Sequence, residues 1–448
     1  MTESMGGERP PAGTARVEGP VAAIGLGRPK LDLKVVTSTA GLDALRSKWS
    51  DLHLRTGASV FQSYEWQRTW WAHFGENVNS RSLHIVVLEA EGEVVAIAPF
   101  VVEAIPIAPM LGLRRLVFLG TGMSDYLDLL VLTGLEAACC ARIAAHLAQQ
   151  GVSFDMLLLS DIPDRSATRS PLFEALCAHG FEGRTLVVEQ CPRTLLKDTW
   201  KETLESFGGI RRRHLIKRMR QMRERFRVEL EVSRTFDRVE ADIEQFMEMH
   251  QQRWTSAGKK GVFAEPTVAA FQRAVARAFF DRGWLFLTFL RLDGERVAAA
   301  CNFRHRDEVS FYLSGLRNSG EALKYSPGLV LHCLCMEELV PQGVRVFDFL
   351  RGSVRYKYQF GAVDVPNWAL LMFRSGARAA KAKNFVALLE ESLRRRLERE
   401  RIAFLHQRRT HGLVSAGLAR HLWSRLPANW RDGLRKLRAP EKPLQAPE

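Results

Sequence analysis

The chain of 448 residues holds no uninterrupted apolar run of the ~18–20 residues that a membrane span requires. Its seven cysteines are scattered. Cys139-Cys140 and Cys333/Cys335 fall in helix-like text, where such spacing offers no tetrahedral metal set. The twelve histidines form no HExxH cluster, so no metal is expected. The thiols read as reduced and buried, as in a cytosolic protein. The opening MTESMGGERPPAGTARVEGP lacks an apolar core segment and is not expected to be a signal peptide. Residues 1–29 are expected to be a disordered leader, and the protein is expected in the cytoplasm.

What the chain has is cations. Lys and Arg number 64 against 50 Asp and Glu, a formal charge of +14. Such an excess points toward polyanions, anionic membrane surfaces or phosphate-bearing ligands, and says nothing of fold. The length suggests two domains, and 46% hydrophobic residues suffice for their cores.

The text alternates strands and helices. LDLKVV is followed by helical text and by YEWQRTWWAHFG, which sets Trp66 and Trp70 four residues apart on one helix face. LHIVVLEAEGEVVA (83–96) reads as a hairpin turning at Glu91-Gly92, and it lies residue for residue over LFLTFLRLDGERVA (285–298). GVSFDMLLL (151–159) similarly answers GVRVFDFLR (343–351) once one residue is inserted, so that Phe154-Asp155 matches Phe347-Asp348. Two matches in the same order imply two copies of one α/β module. The expected fold is α/β with mixed sheets: a first module over 30–205, a basic connecting helix over 206–227, a second module over 228–375 and a basic helical tail over 376–448. Strand text is expected also in RRLVFLG and DYLDLLVL. The tail sets Trp423, Leu426, Trp430, Leu434 and Leu437 at helical spacing with arginines opposite, a face for packing on the body or for peripheral contact with an anionic membrane.

The set FQSYEWQRTWWAHFG, FLGTGMSDYLDLLV, HQQRWTSAGKKGVF, FYLSG, SPGLVL and FDFLRGSVRYKYQFG resembles the bacterial CelD/BcsL family, whose BioF2-like domain is a GNAT-type acetyltransferase. It covers roughly residues 30–375. The resemblance implies two tandem GNAT-like modules, acyl transfer, acetyl-CoA or another acyl-CoA as co-substrate, and a link to cellulose or exopolysaccharide production. There is also similarity to the FemABX peptidyltransferases, which pair two GNAT-like modules and use aminoacyl-tRNA. The GNAT pyrophosphate loop, Gln/Arg-x-x-Gly-x-Gly/Ala, is absent; RNSGEALKYSPGLVL stands in its place.

Acylation of an amine by a thioester needs a cradle for the donor, polarisation of its carbonyl, and a route for protons. For the cradle, Ser326-Pro327-Gly328 is a helix start with Ser as N-cap and Pro first, a ready anion site with Lys324 beside it. The strand before it, with Tyr312, Leu313, Ser314 and Gly315, offers edge backbone groups to the donor's arm. For proton handling, Asp348 stands among aromatics at the end of a buried strand, followed by Gly352, Tyr356, Lys357 and Tyr358. Gly352 permits a turn that returns Lys357 toward the carboxylate, and an ion pair of Asp348 with Lys357 or Arg355 is the structural alternative. Tyr356 or Tyr358 is placed to return a proton to the thiolate. For the acceptor, His250, Arg253 and Trp254 share a helix face suited to a sugar or an anionic group. Asp125, Tyr126 and Asp128 are expected in the cleft between modules. IRRRHLIKRMRQMRERFR (210–227) carries cations on every face, with Ile210, Leu215, Ile216, Met219 and Met222 as a narrow apolar stripe: a solvated connector, or a surface for RNA or lipid headgroups.

Three readings stand open: an acyltransferase acting on an amine or hydroxyl of a saccharide precursor; an aminoacyltransferase using aminoacyl-tRNA, the one reading with a nucleic-acid partner; and a non-catalytic subunit of polysaccharide synthesis.

Overall fold

The computed structural model describes residues 30–108, 111–149, 154–256, 258–317 and 320–374. The leader and the tail therefore lie outside the described residues. The first module runs β1 (Asp32–Val36), α1 (Thr39–Ala44), α2 (Arg46–Arg55), α3 (Tyr64–Phe74), β2 (Arg81–Ala90), β3 (Glu93–Ala108), β4 (Leu111–Phe118), β5 (Leu130–Val131), α4 (Glu136–Ala148), β6 (Met156–Pro163), α5 (Arg169–Ala178) and β7 (Phe181–Leu195). Two helices, α6 (Trp200–Ser206) and α7 (Gly209–Arg225), lead to the second. It runs β8 (Val228–Val232), α8 (Phe236–Thr255), α9 (Pro266–Asp281), β9 (Leu285–Leu292), β10 (Glu295–His305), β11 (Glu308–Leu316), α10 (Pro327–Leu339), β12 (Val346–Asp348) and β13 (Val363–Arg374).

The two hairpins expected from the repeat form with the same turn. Glu91 and Gly92 have φ of 53° and 86°; Asp293 and Gly294 have 50° and 90°. Positive φ at both central residues is what a two-residue turn needs to follow the twist of its strands, and glycine meets it without a Cβ clash.

All strands join one sheet in the order β1-β2-β3-β4-β6-β13-β7-β12-β11-β10-β9-β8, with β5 on β3. The last strand, β13, lies between β6 and β7, antiparallel to both. Long β7 therefore reaches from one module into the other. Its Arg193 faces Val363 of β13 and Asp348 of β12.

Alternation along each strand sorts side chains to two faces. Ile85, Val87, Leu287 and Phe289 join α1–α3, α8 and α9 in one core shared by both modules, while Val86, Leu88 and Phe286, Leu290 face the opposite helices. Trp66 carries the shared core: its ring meets Phe271 at 5.2 Å, Tyr312 at 5.5 Å and Phe303 at 5.8 Å. DYLDLLVL is strand only at Leu130–Val131. Its aspartates turn inward to take hydrogen bonds, and a ladder with alternating apolar faces does not form there.

Candidate active site

The second module has an opening between two parallel strands. β12 pairs with β11 only where Glu308–Ser310 face Val346–Asp348, and then ends while β11 continues to Leu316. The parting coincides with an irregularity on the other edge of β11. Cys301 of β10 faces Leu313 and Asn302 faces Phe311, leaving Tyr312 as an extra residue. A bulge of this kind bends and over-twists its strand. Past it, the backbone of β11 has no strand partner on the β12 side among the described residues.

The first module is closed at the corresponding place. β4 and β6 pair at Arg115–Leu116 with Met156–Leu157, and the chain then fills the gap: Leu127 N–H donates to Asp161 O at 2.8 Å, and β5 docks on β3. The filling loop reaches onward into the second module. Tyr312 Oη donates to Met123 O at 2.9 Å, and Asn367 Nδ2 to Asp125 O at 2.7 Å.

At the open end, α10 begins with Pro327 as expected, but Ser326 does not cap through its side chain. It takes a left-handed backbone (φ 59°, ψ 62°), and its carbonyl accepts from Leu329 and Val330 N–H. The side-chain cap fails because that geometry turns Ser326 away from the β-region a capping residue uses. A Cβ on Gly328 would meet nothing within 4 Å, so the helix start faces open space there. Lys324 is exposed, and its carbonyl accepts from Arg218 of α7 at 2.9 Å.

The acceptor-side residues gather on the same strand. His250 Nδ1–H donates to Ser314 O at 2.7 Å, and Arg253 Nη1 donates to Ser314 Oγ at 2.5 Å. This contact requires Gly315: a Cβ there would stand 2.8 Å from Met249 Cβ and 2.9 Å from His250 N. His250 Nε2 is buried without a partner, and burial pulls the imidazole pKa down to about 4, against the pull of Ser314 O. It is thus a neutral ring with its lone pair on Nε2. Trp254 lies between Arg253 and Lys259, which approach its ring to 5.8 and 5.1 Å. Tyr356 is held as a neutral phenol, burial pushing its pKa up to about 12 while the charge of Arg253 opposes. Behind it lies His332 of α10, parallel to Tyr356 at 5.9 Å and edge-on to Phe311 of β11 at 4.5 Å and to Phe347 at 6.0 Å. His332 thus spans the two parting strands, and its buried Nδ1 has no partner. The sequence reading missed it; the only signal was one imidazole in the apolar helix GLVLHCLCMEEL.

Asp348 belongs to a second, buried group at the junction of modules. Its Oδ2 accepts from Tyr126 Oη at 2.8 Å and pairs with Arg193 Nε at 2.9 Å; its Oδ1 accepts from Leu350 N–H at 2.7 Å. The expected ion pair with Lys357 or Arg355 is replaced by the one with Arg193. Lys357 instead gives its three ammonium hydrogens to the carbonyls of Phe349, Leu350 and Arg351 at 2.7, 3.0 and 2.7 Å. Burial, reinforced by Glu308, pushes the Asp348 pKa up to about 7, with Arg193 opposing. Beside it, Arg351 bonds Asp125 at 2.6 Å and Asp161 at 3.2 Å. Asp128 stays within the first module, accepting from Leu129 N–H and Thr168 Oγ1, so only Asp125 and Tyr126 reach across. Tyr358 is tied to Asp364 at 2.7 Å, away from both groups. Ser310, the cross-strand neighbour of Asp348, opens on a cavity of about 240 Å³ between the modules. Among the described residues no group of three or more His, Cys, Asp or Glu could hold a metal.

Residues 211–358 match the family described as Acetyltransferase (GNAT) domain. The fold is a tandem of GNAT-like modules. Among solved structures, the chain is similar to FemX, with a TM-score of 0.52 and 12% identity over 75% of this chain and 96% of that one. Two further structures align more loosely. The C-terminal domain of a putative lysylphosphatidylglycerol synthetase from Agrobacterium fabrum gives 0.46 at 13% identity, covering 79% of this chain and 97% of that one. A tandem GNAT protein from the clavulanic acid biosynthesis pathway gives 0.38 at 12% identity, covering 77% and 99%. No curated protein matches the chain by sequence. No helix among the described residues is long and apolar enough to cross a membrane.

Proposed function

We propose that the chain is an acyltransferase that draws its acyl group from a coenzyme A thioester seated between β11 and β12. The observation that carries this is the coincidence of the Tyr312 bulge with the place where β12 leaves β11, beside the start of α10. Edge backbone groups of β11 then take the amide-bearing arm of the donor, and the first turn of α10, open at Gly328, takes its pyrophosphate.

His250 Nε2 is the base in this reading and Tyr356 the acid. The acceptor nitrogen attacks the thioester carbonyl, the C–S bond breaks, His250 takes the amine proton, and Tyr356 gives one to the departing sulfur. Asp348 is reassigned from base to positioning residue, because both its oxygens are already engaged. As the finer reading, the donor is acetyl-CoA and the acceptor an amine or hydroxyl of a saccharide or cell-envelope precursor, with the Trp254 ring as a stacking surface; the link to exopolysaccharide production rests on the resemblance alone. Likeness to FemX favours a second reading, aminoacyl transfer from aminoacyl-tRNA in the same opening.

Calorimetric titration of the full chain tests both. Saturable binding of acetyl-CoA that is lost in Gly328→Glu supports the first reading. Indifference to every CoA ester, with binding of aminoacyl-tRNA, replaces it with the second.

A further inference from the structure

The helix α7 buries one narrow face, half-buries Arg212, His214, Arg218 and Gln221, and leaves an outward arc to solvent. Leu215, Met219 and Met222 pack into the core beneath α10. At 100° per residue the outward arc then carries Ile210, Arg213, Ile216, Lys217, Arg220 and Arg223, with Glu224 the one acid among them. Ile210 is 78% exposed and Ile216 44%. Arg220 reaches Glu224 on its own helix at 3.4 Å, and Arg223 reaches Glu337 only at 3.8 Å. Beside this face a groove of about 480 Å³ runs between α6, α7 and α10, with Trp200, Leu204, Ile216 and Met219 for its floor and the pairs Arg220–Glu224 and Arg223–Glu337 on its rim.

We propose that this face docks on an anionic phospholipid surface. The charge explains attraction to any polyanion, and the chain as a whole carries +14. The isoleucines decide among polyanions. Nucleic-acid backbones offer phosphates but no medium for exposed branched aliphatic side chains, whereas the headgroup boundary of a bilayer accepts both together. The groove adds an apolar floor for an acyl segment and a tryptophan of the kind that favours membrane interfaces. The cations for the phosphates are Arg213 and Lys217 on the outward arc, unpaired among the described residues. The proposal stands on α7 and the groove beside it and does not depend on the acyl-transfer reading.

Co-sedimentation of the full chain with vesicles tests it. Binding is expected to phosphatidylglycerol/phosphatidylcholine vesicles and not to phosphatidylcholine alone. Arg213→Gln with Lys217→Gln should weaken it roughly 25-fold, at roughly five-fold per cation. Ile210→Ser with Ile216→Ser should retain binding at low salt and lose it at about 0.5 M salt, where surface charge is screened. Circular dichroism of each variant separates these losses from unfolding. The proposal is overturned by equal binding to neutral vesicles, by no binding to anionic ones, or by anionic-vesicle binding that neither pair of substitutions changes. It is overturned equally if a single-stranded RNA oligonucleotide binds and displaces the vesicles with the isoleucine variant behaving as the unaltered chain.

Discussion

Tyr126, on the loop that closes the first module, donates its hydroxyl hydrogen to Asp348 of the second across 2.8 Å, inside a core from which Asp348 is wholly hidden from solvent. The bond makes the first module a support for the strand on which the second module's opening depends. Removing it by Tyr126→Phe should cost about 1–3 kcal/mol, since a buried acceptor loses a donor and no water replaces it. Urea denaturation measures this. A cost near zero would mean that Arg193 and Leu350 already satisfy the carboxyl.

The titration of Asp348 gives a second expectation, with a definite sign. Its pKa stands near 7 in the fold, against 3.8 as the ordinary value. The folded chain therefore holds this proton more tightly than the unfolded one. The associated stability is complete below pH ~4 and is lost as pH rises through about 7. Asp348→Asn, which resembles the protonated acid, should abolish that part of the slope. Denaturation curves of the two chains at several values between pH 5 and 7.5 should diverge, the original chain losing ground to the variant as pH rises. Parallel curves would show that Arg193 holds the carboxylate ionised throughout.

His250 and Tyr356 should separate by their chemistry. In His250→Asn the amide nitrogen replaces Nδ1 as donor to Ser314 O, but nothing replaces Nε2. Turnover should fall about 10²-fold with the donor's affinity unchanged, and the acid limb of the pH–rate profile should go with it. Tyr356→Phe should give a similar fall and remove the alkaline limb. A variant that alters only the Michaelis constant would place its residue in binding instead.

How much of this was legible in the chain follows from range. The hairpins at Glu91-Gly92 and Asp293-Gly294 are local, and their turn chemistry is written in adjacent residues. Strand β11 and helix α10 likewise follow from the runs EVSFYLSGL and GLVLHCLCMEEL. The shared helix face of His250 and Arg253 was legible from their spacing, whereas the strand it covers, and so their contacts with Ser314, was not. Arg193 was illegible because its partner is 155 residues away in sequence and it is one of 64 cations. Lys357 was read as a partner for a carboxylate, since a sequence shows charges and does not show three backbone carbonyls turned toward one ammonium. The insertion of β13 between β6 and β7 has no local signature either, because its apolar run NWALLMF would suit any interior position of a sheet.

Two glycines on either side of the opening test its geometry against each other. At Gly315 an alanine methyl would overlap Met249 Cβ and the backbone of α8, and neither can retreat as a flexible side chain would. The helix must move off the strand, at about 1–3 kcal/mol, carrying His250 and Arg253 away from Ser314. At Gly328 the same methyl meets no atom within 4 Å, and its backbone is ordinary for a helix. There alanine should be neutral or slightly stabilising, because it narrows the unfolded ensemble by about 0.4–1 kcal/mol. Gly315→Ala should therefore lower both stability and turnover, whereas Gly328→Ala should keep stability and weaken only the donor's binding. Melting curves with and without acetyl-CoA read both effects at once. Equal ligand-induced shifts in Gly328→Ala and the original chain would remove the donor's phosphates from the start of α10 and leave the opening in β11 without its anion site.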